Sequence, residues 1–202
     1  TAYVCARAAW TELPRDLPLS NALEALDVCA AASQTRDLLS PGGSVCVLGA
    51  GHAGKLALAA ARDVSPGSTL TVVDIDEAAV DRVVGLGLAD VGVATDLRDP
   101  LAALAEIRAA GAPPADLSVL VVNATGCEAA AILATADHGQ ILFFSMATRF
   151  GTAALTSDGL SSGARMVIGS GFSTDRGVYA LNLIRGNPGL REAMGISLGS
   201  GG

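Results

Sequence analysis

The sequence predicts an α/β fold: a doubly wound parallel sheet of about six strands with helices on both faces. Three observations carry this. From about residue 44 onward, short β-branched runs of strand length alternate with helical stretches. Those runs are nearly continuous apolar, as strands buried on both faces read. Half of the 202 residues are hydrophobic and only 16% are charged, a balance that supplies a large core and excludes disorder. The strand order expected for such a pattern is 3-2-1-4-5-6.

Taken in chain order, Pro14 and Pro18 punctuate an irregular entry. Ser20 then reads as the N-cap of one helix whose apolar face is Leu23, Leu26 and Ala30, and Ser40-Pro41-Gly42-Gly43 ends it. Strands are expected over residues 44–48, 69–73, 91–94, 117–122, 140–144 and 165–169. Helices are expected over 53–63, 77–86, 101–110 and 128–135. Two boundaries are sharp. Asp99-Pro100 is a capping residue followed by a proline suited to the first helical turn, and Ser65-Pro66-Gly67-Ser68 is a tight turn.

The formal net charge of −7 speaks against nucleic acid, whose phosphates demand a positive field. No apolar run is long enough to span a bilayer, and no signal peptide opens the sequence. Cys5, Cys29, Cys46 and Cys127 are widely spaced, with no CxxC pair and no His/Cys cluster. They read as buried reduced thiols in a cytoplasmic protein, and no metal site is expected. The first residue is Thr1, so the expectation is a fragment or a processed chain.

The first strand runs into Gly49-Ala50-Gly51-His52-Ala53-Gly54. In this pattern Gly49 permits the turn out of the strand and Gly51 leaves room for a pyrophosphate. Gly54 lets the next helix sit close to the sheet. The N-terminus of that helix, with His52 and Ala53, offers N–H groups and the positive end of its dipole to phosphates. The second strand ends at Asp74, twenty residues beyond Gly54, where a carboxylate can accept both adenosine ribose hydroxyls, with Ile75 beside it. Loop and acid together predict a dinucleotide-binding Rossmann unit. Asp74 and Asp76 would repel a 2′-phosphate, and Arg82 lies two turns into the next helix, so NAD is expected over NADP. His52 reads as lining the pyrophosphate or the cleft mouth, and His138 as a surface turn residue.

Adenosylmethionine methyltransferases share the glycine loop and the acid, so the loop alone leaves that class open. The later sequence narrows it. Leu26-Asp27-Val28-Cys29 through Gln34-Thr35, then VCVLGAGHAGKLAL, resembles the L-erythro-3,5-diaminohexanoate dehydrogenases of lysine fermentation. So do Gly139 to Thr148 (GQILFFSMAT), Met166 to Gly171 (MVIGSG) and the ending Asn187-Pro188-Gly189-Leu190-Arg191. The chain departs from that family at His52 and Ala53, where the family commonly has glycine and lysine. It departs again at Val121-Val122-Asn123, where the family tends to have cysteine-valine-asparagine.

The resemblance implies a zinc-independent, medium-chain-dehydrogenase-like enzyme. Such an enzyme oxidises the C3 amine of a diamino acid with NAD, and the imine hydrolyses to a 3-oxo acid and ammonia. It implies that the carboxyl ends of strands 4 to 6 cradle the nicotinamide, which places Asn123, Ser145, Met146, Ala147 and Ser170 near it. Glu128 is the expected carboxylate to hold an ammonium or act as base; the alternative for it is a solvated residue in a helix's first turn. Ser145 and Thr148 are expected either to fix carboxamide or substrate, or to satisfy the strand's end.

The expected organisation is a lead-in over 1–43 left from a preceding substrate domain, a dinucleotide-binding domain over 44–198 with C-terminal helices, and a flexible tail over 199–202. Only about forty residues precede the first strand, so a substrate domain is expected to be absent, truncated or on another polypeptide, or the chain to form a homo-oligomer. Three functions follow as expectations: the cofactor part of an amino-acid dehydrogenase, a methyltransferase, and a non-catalytic NAD-binding module.

Overall fold

The apolar runs pair as one six-stranded parallel sheet with the strand order β3-β2-β1-β4-β5-β6. The strands are β1 (Val45–Leu48), β2 (Leu70–Asp74), β3 (Val91–Ala94), β4 (Ala115–Leu120), β5 (Thr135–Phe143) and β6 (Arg165–Ile168). The computed structural model describes residues 3–6, 8, 10–169 and 174–197. Ser170 and the tail at 199–202 lie outside the described residues. Val47 of β1 sits between Val72 of β2 and Val119 of β4, and all three are fully buried. β1 is the centre of the sheet, and the strand order reverses beside it.

Helices α3 (His52–Val64), α4 (Glu77–Gly85), α5 (Pro100–Ala109) and α6 (Glu128–Ala134) are the crossovers that parallel pairing requires. Asp99 accepts the Ala102 N–H at 3.1 Å with Pro100 opening α5, and Ser68 N–H closes the 65–68 turn on Ser65 O at 3.0 Å. α3 is alanine-rich and packs flat: Leu56, Ala57, Leu58, Ala59, Ala60 and Ala61 are all buried. One apolar layer lies under α3 and α4, and a second lies under α5 and α6.

Several features differ from the sequence reading. The single N-terminal helix is two, α1 (Leu19–Asp27) and α2 (Cys29–Leu38), broken at Val28 with φ −109° and ψ 12°. Pro18, not Ser20, is the N-cap, because the Pro18 carbonyl already accepts the Ala22 N–H at 3.0 Å. Leu23 therefore points outward at 51% exposure, while Leu26 and Ala30 are buried. β5 begins at Thr135 and its register with β4 shifts between Ala115 and Leu117, with exposed His138 at φ 64°. Two short helices, α7 (Phe150–Leu155) and α8 (Ser157–Ser161), occupy a stretch that shows no periodicity in sequence. Cys29, Cys46 and Cys127 are buried, but Cys5 is exposed. Burial pushes the Cys46 thiol up to about 12.

The lead-in and the C-terminus share one core. α2 packs on α3 and on α9 (Thr174–Gly186), and Ala180, Ile184 and Leu190 of α9 and α10 (Pro188–Met194) are buried with Ala22, Ala25 and Ala32.

Asp90 ties the loop ahead of β3 to β2 and α3. Its Oδ1 pairs with Arg62 Nη2 at 2.7 Å and its Oδ2 accepts the Leu70 N–H at 2.8 Å. Partial burial works to raise its carboxyl, but the Arg62 guanidinium and the Leu70 N–H outweigh it and hold it below the ordinary 3.8. A carboxylate lowered in the folded state stabilises above its unfolded value and stops doing so as pH falls through the folded one. Asp90→Ala is expected to lose about 1 kcal/mol at neutral pH, allowing for solvent screening. In urea melts across pH, the gap from the parent protein should close below the ordinary carboxylate range; a gap that persists in strong acid contradicts the role.

Candidate functional site

At the carboxyl edge of β1 the chain turns through the glycine loop, and three backbone contacts fix it. Gly49 N–H bonds Val73 O at 2.8 Å, and Leu48 O accepts both the Val121 and the Val122 N–H at 3.0 Å. Gly49 has φ 124°, and a Cβ there would lie 2.9 Å from Val122 N. Only glycine fits this turn. A Cβ on Gly54 would overlap the Gly49 carbonyl oxygen, so α3 meets the loop backbone to backbone.

Gly51 is different. It is exposed, its backbone is extended at φ −70° and ψ −171°, and a Cβ there would meet nothing within 4 Å. The fold therefore imposes no demand for glycine at 51. It caps α3 without a side-chain hydrogen bond, leaving the first-turn N–H groups without a side-chain acceptor. That is the geometry an anionic phosphate needs.

Asp74 sits at the end of β2, half-buried. Its Oδ2 accepts the Ala50 N–H at 2.6 Å and its Oδ1 the Asp76 N–H at 3.0 Å, so it also braces the glycine loop. Asp76 caps α4 through the Ala79 N–H at 3.2 Å. Lys55, missed in the sequence reading, is within electrostatic reach. Burial and nearby Arg82 pull its ammonium below the ordinary value, against the attraction of Asp74. Its signal was its place directly after Gly54, in a first turn where a cation opposes the helix dipole. Arg82 itself donates to Glu192 O at 2.6 Å.

Two clefts flank the residues that follow β4. On the β2–β3 side a cleft of about 240 Å³ is lined by Ile75, Thr95, Leu97, Val122, Ala124 and Cys127, with the Asp96–Arg98 pair at its rim. Asp96 and Arg98 meet at 2.6 Å, and the guanidinium's hydrogen bond holds the carboxyl down at about 2. Burial pushes the Cys127 thiol up to about 11. On the β5–β6 side a cleft of about 400 Å³ is lined by Asp27, Val28, Ala53, Val121, Asn123, Phe144, Ser145, Met146 and Gly169. The structure thus brings Ala53, Asn123, Ser145 and Met146 to one cavity, with Ile75 across β4 from them. Sequence reasoning missed Asp27, Val28, Thr95 and Leu97, because only the packing of α1 and the β3 loop on the sheet brings them to the edge.

Ala147 stands one residue beyond the cleft lining and donates its N–H to Ser145 Oγ at 3.1 Å. His52, opening α3, lies 3.7 Å through Nδ1 from Glu24 Oε2 on α1. Glu128 matches neither sequence expectation, substrate carboxylate or solvated helix residue. It is 2% exposed, and its Oε1 accepts the Arg149 N–H at 2.7 Å. Apolar Ala130, Ala131 and Ile132 pull α6 into the core and carry Glu128 with them, where it anchors the loop after β5. Thr148 Oγ1 is buried there without a hydrogen-bond partner. Among the described residues, no three His, Cys, Asp or Glu side chains gather as a metal site, and no helix is long and apolar enough to cross a membrane.

Fold and loop define the Rossmann class, the architecture of the nucleotide-binding part of dehydrogenases. No family model matches the sequence. The resemblance read from the sequence is borne out by two curated relatives. The L-erythro-3,5-diaminohexanoate dehydrogenase of Fusobacterium nucleatum is 38% identical over 188 residues, 89% of this chain and 53% of the relative. That of Acetoanaerobium sticklandii is 31% identical over 179 residues, 87% of this chain and 52% of the relative. The chain thus spans about half the length of these relatives. Among solved structures, the D-arabinose dehydrogenase of Sulfolobus solfataricus matches with TM-score 0.65 at 14% identity, over 87% of this chain and 54% of that one. Staphylococcus aureus TarJ in complex with NADPH matches with TM-score 0.64 at 16% identity, over 91% and 55%. These structural likenesses speak for the fold.

The contrast between two glycines gives a clean test. Gly51→Val should leave stability within about 0.5 kcal/mol and weaken NADH binding at least about tenfold, read by fluorescence titration. Gly54→Val should instead cost about 3 kcal/mol or more in unfolding free energy. Undiminished NADH affinity in the Gly51 variant contradicts the loop's assignment.

Proposed function

We propose that this chain is the cofactor-binding part of an NAD-dependent dehydrogenase that oxidises the C3 amine of a 3-amino acid related to 3,5-diaminohexanoate. The observation that carries the reading is the pair of clefts on either side of the end of β4, beside a glycine loop in which Gly51 leaves open space. The relatives named as diaminohexanoate dehydrogenases support the substrate class. A methyltransferase has no comparable support, since Asn123-Ala124-Thr125-Gly126 lacks that class's Asn/Asp-Pro-Pro motif.

The residues present fit a dinucleotide. The first-turn N–H groups of α3, at His52, Ala53 and Gly54, would hold the pyrophosphate. Asp74 has lone pairs left beyond its two backbone bonds and would accept the ribose hydroxyls. Ile75, Thr95, Leu97 and Ala124 would wall the adenine, and Asn123 with Ser145 would hold the carboxamide. Bound there, NAD supplies the hydride acceptor. Val121, Phe144 and Met146 give the cleft an apolar lining against which the nicotinamide ring would lie. In the net reaction C3 gives up a hydride and its nitrogen a proton, and water hydrolyses the imine to the 3-oxo acid and ammonium. The polarising groups are hydrogen-bond donors and carboxylates, with no metal in the scheme.

NAD is proposed over NADP because Asp74 and Asp76 both present negative charge at the ribose. Asp74→Ser combined with Ile75→Arg should move the NADPH-to-NADH affinity ratio upward by about tenfold or more. A parent protein that already prefers NADPH contradicts this reading of β2. For the reaction itself, the full-length protein should be assayed with chelator present against 3,5-diaminohexanoate, simpler 3-amino acids and secondary alcohols. Amine-dependent NADH formation with ammonia release is expected. Activity confined to alcohols, or lost to chelator and restored by zinc, overturns the proposal.

A further inference from the structure

We propose that Asp27 is the carboxylate that holds the substrate's second, non-reacting ammonium group, and so sets the preference for a diamine over a monoamine. The inference rests on the amine-dehydrogenase reading above and adds the residue that selects the substrate. Asp27 is the last residue of α1, and with Val28 it forms one wall of the larger cleft, opposite Asn123, Ser145 and Met146. Among the described residues lining that cleft it is the only ionisable one. The remaining wall is apolar, amide or hydroxyl, so exposed Asp27 brings one carboxylate to the edge of a cleft of about 400 Å³.

The other acids near the sheet edge already have partners. Asp74 braces Ala50 and Asp76, Asp96 pairs with Arg98, Glu24 lies beside His52, and Glu128 is buried on the Arg149 N–H. Asp27 receives no hydrogen bond and no ion pair from the described residues. Nor does it cap the next helix: Val28 lies between α1 and α2, and α2 starts without a side-chain cap. The last residue of α1 and the break that follows it line the cleft side by side.

The chemistry of the reaction gives this charge a use. Of two ammonium groups, the reacting one must lose its proton before the carbon can release a hydride, and a neighbouring carboxylate would oppose that loss. The other ammonium stays charged throughout, and a carboxylate both binds and orients it. A single carboxylate in the cleft therefore suits a substrate with one permanent cation besides the reacting nitrogen, and it gives a monoamine no equivalent contact.

The test uses full-length protein saturated with NADH, so that binding is measured without turnover. The parent complex should bind 3,5-diaminohexanoate about tenfold more tightly than 3-aminohexanoate. Asp27→Asn should remove that difference while leaving NADH affinity within about twofold, and Asp27→Glu should restore part of it. A preference that survives in Asp27→Asn overturns the assignment, as does a matching loss of NADH affinity, which would place Asp27 in the cofactor site. Turnover, scored in parallel, separates the two readings. Amine oxidation with an unchanged diamine preference in Asp27→Asn removes this inference alone, and activity on alcohols only removes both.

Discussion

The contact between the backbone of Gly49 and the helix turn at Gly54 governs how the rest of the carboxyl edge is arranged. Because neither position carries a Cβ, α3 rises from β1 with its first turn pressed on the loop. That closeness is carried down the helix by small residues, Ala57, Ala59, Ala60 and Ala61, all buried against the sheet and its neighbours. α2 and α9 then find a flat alanine surface to lie on, and they bring α1 with them. A bulkier helix would stand off the sheet and move α1 away from the cleft it helps to wall. Asp27 on α1 and the glycine loop are thus positioned by one close approach.

The opposite wall depends on a buried carboxyl group. Glu128 holds the Arg149 N–H and so fixes the far end of the turn that begins at Ser145. Its near end is fixed by Phe144 and Ser145, whose N–H groups both bond Leu120 O. Between these anchors the turn is held by the Ala147 and Thr148 N–H groups on Ser145, and Met146 projects at 97% exposure. An exposed methionine on a rigid turn is an adaptable apolar surface on a fixed base, suited to closing over a flat ring.

The sheet was legible in the sequence because every strand carries its own apolar run. The order, the crossover helices and the glycine loop all followed from pattern. What stayed hidden depends on tertiary packing. The break at Val28 has no glycine or proline to announce it. The first pairing residue of β5, Thr135, sits where helix spacing still continues from α6. Glu128 looked like a first-turn surface acid, and only the apolar face of α6 decides that it is buried. Asp27, Thr95 and Leu97 reach the edge through contacts between segments far apart in sequence, which local spacing does not encode.

The bond from the Ala50 N–H to Asp74 has an evolutionary consequence. Asp74 tethers the glycine loop, and under the proposed reading the same carboxylate would also repel an extra phosphate on the ribose. Any lineage exchanging that acid for a neutral residue, to admit the phosphorylated cofactor, would also cut the tether and slacken its loop. If the reading of Asp74 holds, the two traits are coupled through one side chain, and a change of cofactor would call for a compensating change elsewhere in the turn. Half-buried Lys55 stands within reach of the same acid and is the natural place for that change to occur.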